Sequence, residues 1–180
     1  GPLNRCLTPL TDRFIAVAHQ HGRYLVEQEG FPAEKVHVIP NGVDVERFAP
    51  DAARRRAVRT ELKVAEDEPV VGIVAALREE KNHSLFLQAA RRIKDKMPAA
   101  RFLIVGDGPC REKIATEVAE AGLQQHVFLL GARRDVPDLL AAMDLFVLSS
   151  HMEANPVSIL EAMATGIPVV ATRVGSIPEI

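Results

Sequence analysis

Two carboxylates, Glu153 and Glu161, bracket seven residues in the run EANPVSILE. The run follows an apolar, strand-like stretch, LFVLSS (145–150), and leads into a helix-like one, VSILEAMA (157–164). Strand, polar loop and helix in that order mark the place where open α/β sheets bind ligands, at the carboxyl ends of their strands. Pro156 suits the first turn of a helix, where its missing N–H has no partner to lose. Asn155 just before it is a good N-cap. The unpaired N–H groups of Val157, Ser158 and Ile159 then form an anion site favoured by the helix dipole. Glu161 stands about one turn further in, and Glu153 lies in the loop before the cap. One acid is placed at the reacting end of a ligand and the other beside it, with a phosphate cradle between.

Stepping outward, the elements that must carry these residues alternate. Strand-like runs are RFIAVA (13–18), VVGIVAAL (70–77), RFLIVG (101–106), VFLLG (127–131), LFVLSS (145–150) and PVVATRV (168–174). They are continuously apolar, as strands covered on both faces are. Helix-like runs lie between them at 19–29, 82–96, 110–122, 135–142 and 156–165. This spacing predicts βαβ units, a parallel sheet and right-handed crossovers, hence an α/β fold. Segment 1–40 reads as a separate unit with one strand and one helix, closed by the turn signal PNG (40–42). The stretch 51–63 reads as a helix whose Arg54, Arg55, Arg56 and Arg59 form a solvated face. In VAALREEKNH (74–83) a strand ends and a charged loop holding Arg78 and Lys81 opens a helix at Asn82. GDGP (106–109) is a tight strand-to-helix turn. It fails as a dinucleotide fingerprint, because Pro109, Cys110 and Arg111 follow where a third glycine is needed. GARRDV (131–136) joins another strand to another helix, with Asp135 as the N-cap.

The run EANPVSILEAMATGIPVVATRVGSIPEI resembles the signature of family 4 retaining glycosyltransferases, in the donor half of the GT-B fold. Three further stretches agree in order and spacing: VHVIPNGVDVERF (36–48), VGIVAALREEKNH (71–83) and RFLIVGDGPCREKI (101–114). The resemblance covers nearly the whole chain. It implies a Rossmann-like parallel sheet with helices on both faces. Residues 1–42 would close the acceptor domain and provide the interdomain linker, and 43–180 would form the donor-binding domain, stopping inside the family pattern. The expected activity is retaining transfer of a hexose or N-acetylhexosamine from a nucleoside diphosphate sugar to a glycan or lipid-linked acceptor, with the fragment alone inactive.

The resemblance also assigns roles. Glu153 addresses the donor sugar, where oxocarbenium-like charge develops in the transition state. Glu161 accepts hydrogen bonds from the ribose hydroxyls. Lys81 is a point cation for the diphosphate, joined there by the amides around Ser158. The family commonly has an arginine five residues before that lysine; here the position is Ala76, and Arg78 is the substitute considered. Gly106 and Gly108 provide pocket backbone, Arg133 or Arg134 covers the nucleotide base, and Asn155 lies in the sugar loop where the family often has an aromatic. His151 could line the pocket. No metal is expected, since basic groups and helix dipoles take its place, and no cofactor beyond the donor itself, with UDP favoured over GDP.

Composition narrows the remaining classes. The formal charge is −2, which gives no general attraction for nucleic acid. Aromatic residues make up 4% with no Trp, too few for a base-stacking surface. No apolar run approaches the roughly 18 residues of a membrane helix. Cys6 and Cys110 match no metal spacing and read as reduced thiols, and Gly1-Pro2 could be the scar of a cleaved tag. The expected location is cytoplasmic, with peripheral association at the inner membrane face compatible for a full-length protein. Rival readings are a GT-B-type nucleotide-sugar epimerase, which the two-acid run fits less well, and a sugar-nucleotide-binding module without catalysis. A nicotinamide dehydrogenase is weakest, because the fingerprint fails.

Overall fold

A computed structural model describes residues 8–180; Gly1-Pro2 and Cys6 lie outside the described residues. The chain divides into two compact units. The first holds the residues up to Gly42 together with Met152–Val157 and Arg173–Ile180; the second holds Val43–His151 and Ser158–Thr172.

In the first unit, β1 (Phe14–Ala16) pairs in parallel with β2 (Val36–Val38), with Phe14 opposite Val36. The second strand was not expected from the sequence: it spans three residues, too few for a period to show. The connecting helix α1 (His19–Glu27) packs through Gly22, where an added Cβ would lie 3.0 Å from Val38 Cγ2. Phe14 and Phe31 stack with centroids 4.1 Å apart. Ala18 gives α1 no side-chain cap. Glu179 provides it from the far end of the sequence, accepting from His19 N and Gln20 N at 2.7 Å each.

The second unit is built on a five-stranded parallel sheet in the order β5-β4-β3-β6-β7. The strands are β3 (Val70–Val74), β4 (Arg101–Val105), β5 (Val127–Gly131), β6 (Leu145–Leu148) and β7 (Val169–Ala171). Helices α2 (Ala52–Glu61), α3 (His83–Lys96), α4 (Arg111–Glu120), α5 (Val136–Ala141) and α6 (Val157–Ala164) occupy the connections. The chain winds outward from β3 to one edge through β4 and β5, then returns to the other side of β3 through β6 and β7. The strand order therefore reverses between β3 and β6, the switch point at which doubly wound sheets bind ligands. Ile73, Phe102, Leu103, Ile104, Phe146, Leu139 and Leu140 are fully buried and form the core. Gly72 admits Met143, whose Sδ would lie 2.3 Å from an added Cβ.

The arginine-rich helix is not a uniformly solvated face. Asp51 caps α2 by accepting from Ala53 N and Arg54 N, and Arg59 is only 2% exposed. Its guanidinium donates to the carbonyls of Ala65 (2.7 Å), Glu68 (3.0 Å) and Ala142 (3.2 Å) and to Asp144 (2.7 Å). Asp144 also accepts from Val70 N and from Arg55. A planar fork with five donors can satisfy several carbonyls at once. This network ties α2 to the start of β3 and the turn before β6.

Candidate functional site

At the carboxyl end of the sheet, four loops of the second unit are laced together. Ala75 N bonds Val105 O at 3.0 Å, Leu77 N bonds Asp107 O at 3.0 Å, Cys110 N bonds Leu77 O at 2.9 Å and Gly106 N bonds Gly131 O at 2.8 Å. The glycines of GDGP exist for this approach: a Cβ on Gly106 would lie 2.0 Å from Ala75 O, and one on Gly108 would lie 2.5 Å from Leu77 O. From the β6 side, Ser149 Oγ donates to Asn82 O and Lys81 O, and His151 N bonds Glu80 O. Lys81 ends a 3-10 turn (Glu79–Lys81), and Asn82, at φ 49°, caps α3 by accepting from Leu85 N at 3.4 Å. The loop bearing Lys81 is thus held at the switch point by backbone bonds from two neighbouring loops.

Arg78 is 63% exposed on its side chain and reaches Glu80 only at 4.0 Å, so its guanidinium is available. It lines a cavity of about 40 Å³ with Asn82, His83, Cys110, Lys113 and His151. His83 is 3% exposed. Burial first, and the Lys81 charge second, push its pKa down to about 4. Glu79 accepts two bonds of 3.0 Å from Lys113. Burial and the neighbouring Glu79 carboxylate push the Cys110 thiol pKa up, so this is no activated thiolate.

Glu161 sits in the second turn of α6 and is half-buried. Burial raises its pKa, and Arg47 opposes the shift. Sequence reasoning gave Arg47 no role, although it lies in the stretch VHVIPNGVDVERF (36–48) that carries part of the family resemblance. Val157, Ser158 and Ile159 begin α6, and the leading amides of a helix have no intrahelical partners. Arg133 is held between Glu61 (2.9 Å) and Asp135 (2.6 Å), which leaves Arg134 as the exposed arginine of that loop. Asp135 occupies the N-cap position of α5, but its carboxylate is turned to Arg133 and does not cap the helix.

Glu153 belongs to the first unit. Its loop is held on two sides there. Asn155 Nδ2 donates to Val17 O at 2.6 Å, and Asn41 Nδ2 donates to Asn155 O at 3.0 Å. The expected N-cap role of Asn155 is therefore corrected: its amide is spent on Val17, and its Oδ1 accepts from no group among the described residues. Gly175, at φ 52°, lies against the Glu153 backbone, where a Cβ would come 1.8 Å from Glu153 O. Neither Asn41 nor Gly175 stands out in the sequence as a support for Glu153, because the contacts join residues more than 20 apart.

Five buried side-chain atoms have no hydrogen-bond partner among the described residues: His21 Nδ1, Asn155 Oδ1 and Ser176 Oγ in the first unit, and both ring nitrogens of His83 in the second. Such atoms are few in folded proteins and each calls for a reason. Here Asn155 is in the Glu153 loop, His21 and Ser176 line the same cleft as Glu153, and His83 follows Lys81 by two residues. Among the described residues, no group of three or more His, Cys, Asp or Glu side chains could hold a metal ion.

Comparison with known proteins gives this arrangement its context. Residues 54–180 match the model of glycosyl transferases group 1, and residues 2–47 match that of glycosyltransferase family 4. The chain belongs to the group 1 glycosyltransferases. Among relatives of this family, the putative glycosyltransferase EpsF of Bacillus subtilis is 33% identical over 85% of this chain and 40% of its own length. An Escherichia coli UDP-Gal:alpha-D-GlcNAc-diphosphoundecaprenol alpha-1,3-galactosyltransferase is 33% identical over 91% of this chain and 43% of its own. The chain thus spans about two fifths of the length of these curated relatives. The crystal structure of Anabaena HepE in complex with UDP and glucose superposes with a TM-score of 0.88 at 28% identity, covering 97% of this chain and 48% of that one. The HepE complex with UDP-glucose gives 0.85 at 29% identity, covering 99% and 52%. The fold is that of the GT-B glycosyltransferases.

Proposed function

We propose that this chain binds the nucleotide-sugar donor of a retaining glycosyltransferase. Residues 1–42 close the acceptor domain and provide the linker, and 43–180 form the donor-binding part. The donor is a nucleoside diphosphate sugar, UDP rather than GDP, carrying a hexose or N-acetylhexosamine. The acceptor is a glycan or a lipid-linked sugar. The observation that carries this reading is the Lys81 loop at the switch point of a doubly wound sheet, in a family member whose fold matches a protein crystallised with UDP and UDP-glucose.

The chemistry follows from the side chains. Lys81, with exposed Arg78 beside it, neutralises charge that builds on the departing diphosphate, and the leading amides of α6, Val157 to Ile159, donate to the same oxygens. The backbone of Gly106 and Gly108 lines the donor pocket. Glu161 accepts from the ribose hydroxyls, a role for which its partial burial is suited: a desolvated carboxylate gains most from donors. The loop of Arg133 and Arg134 meets the base. Glu153 addresses the sugar as positive charge develops on it.

The test is calorimetric titration of the folded chain with UDP, GDP and ADP, repeated with Lys81→Ala. Selective binding of UDP, weakened by about 1.5–3 kcal/mol in the variant, is the expected result for loss of a charged contact. Equal affinity for all three nucleotides, or an unchanged value in the variant, would overturn the assignment.

A further inference from the structure

His83 opens α3, two positions after Lys81, and the groups around it belong to the second unit. It is 3% exposed, and neither ring nitrogen has a hydrogen-bond partner among the described residues. Burial keeps the imidazole neutral, because its pKa is pushed down to about 4. A neutral ring has one N–H to donate and one lone pair to fill, and a buried polar atom stays costly until something bonds to it. The residue borders the cavity of about 40 Å³. Polar groups on the walls are engaged elsewhere. Ser84 Oγ donates to Glu117 at 2.9 Å, Cys110 Sγ and Lys113 Nζ donate to Glu79, and Asn82 Oδ1 accepts from Leu85 N. Water in a cavity that is polar and of this size bonds a ring nitrogen and passes the bond on to the walls.

The turn next to this ring is the one that sets Lys81. Asn82 takes φ 49° and ψ 51°, a left-handed backbone that asparagine tolerates. Lys81 N and Asn82 N donate to Arg78 O and Glu79 O at 3.1 and 3.0 Å. From the β6 side, Ser149 Oγ holds the carbonyls of both residues. The cavity is lined by the same turn, through Glu79 and Asn82, and by the start of α4, through Cys110 and Lys113. We propose that His83 is a positioning residue for Lys81: water in the cavity links its ring to the start of α4, and this link holds the Asn82 turn at the switch point. Packing alone would be served by leucine, which buries no polar atom. His83 touches no nucleotide and acts on the donor only through Lys81. That last step rests on the reading that Lys81 meets the donor diphosphate.

The experiment compares wild type, His83→Leu, His83→Gln, Lys81→Ala and the double variant His83→Leu/Lys81→Ala, each checked for folding by its melting transition. His83→Met repeats the apolar test with a side chain that adapts to the space. Native-state hydrogen exchange follows the Lys81 and Asn82 amides, and calorimetric titration follows UDP. His83→Leu should speed exchange of those two amides about tenfold and leave the core strand amides of Ile73 and Leu103 unchanged. It should weaken UDP about three- to tenfold. His83→Gln keeps a donor and an acceptor and should recover most of both losses. With Lys81 already removed, His83→Leu should cost nothing further, as expected of two residues that act through one contact. The proposal is overturned if exchange at the turn is unaltered, if His83→Gln fares no better than His83→Leu, or if His83→Leu weakens UDP equally with and without Lys81. Unchanged UDP affinity in Lys81→Ala, with faster exchange in His83→Leu, would sink the donor reading alone, since the turn would still be held by His83.

Discussion

Glu161 and Glu153 are the same residue type, and the proposed reading gives them separable tasks that substitution should separate. If Glu161 accepts from the ribose hydroxyls as proposed, Glu161→Ala should weaken UDP binding by about 1–3 kcal/mol in titration; unchanged affinity would take Glu161 out of the site. Glu153→Gln keeps the shape of the loop and removes the charge. It should spare UDP affinity and abolish transfer in the full-length protein, and turnover near wild type would refute the role. His83 makes a prediction in pH. Its pKa falls from 6.5 unfolded to about 4 folded, so the unfolded chain takes up a proton first on acidification. Stability contributed by the neutral ring is present above pH 6.5 and is lost as the pH falls towards 4, by on the order of 3 kcal/mol. His83→Leu should flatten the acid limb of a denaturation series across that window; an identical limb would show that another group governs it.

Elements in this chain are held by residues far away in sequence. Arg59 anchors α2 through carbonyls just before β3 and in the turn before β6, and through Asp144. Arg59→Met should destabilise the fold by about 2–4 kcal/mol in urea denaturation, because several buried carbonyls lose their donor while Asp144 keeps Arg55 and Val70 N. Arg56→Met on the exposed side of the same helix should change little. Glu179 completes the first turn of α1, and its carboxyl pKa is lowered by the amides of Gln20 and His19. The Glu153 loop has a comparable external support in Gly175, whose left-handed backbone and missing Cβ permit the contact with Glu153 O.

For the whole molecule, ligand binding and stability are coupled. A ligand that binds only the folded chain stabilises it by RT ln(1 + [L]/Kd), about 2.7 kcal/mol at a hundredfold excess over Kd. UDP should therefore raise the melting temperature, and Lys81→Ala should need a higher UDP concentration for the same rise. A shift equal in both proteins would place the nucleotide elsewhere.

Much of the second unit was legible in the sequence because a doubly wound sheet writes itself locally. Strands covered on both faces are continuous apolar runs, and the turns that end them carry Gly106, Gly108 and Asn82. The order of strands and helices was readable for the same reason, whereas the roles given to the E-x7-E run and Lys81 came from the family resemblance. What only the tertiary structure decided were the partners. The sequence could not show that Arg59 is buried while Arg56 is exposed, that the Asn155 amide reaches Val17, or that Arg133 is held by Glu61. Nor could it show that Glu153 shares a cleft with His21, Tyr24 and Ser176. Backbone periodicity is a property of neighbours along the chain, whereas the choice among several polar side chains for one buried partner is made by distance in space.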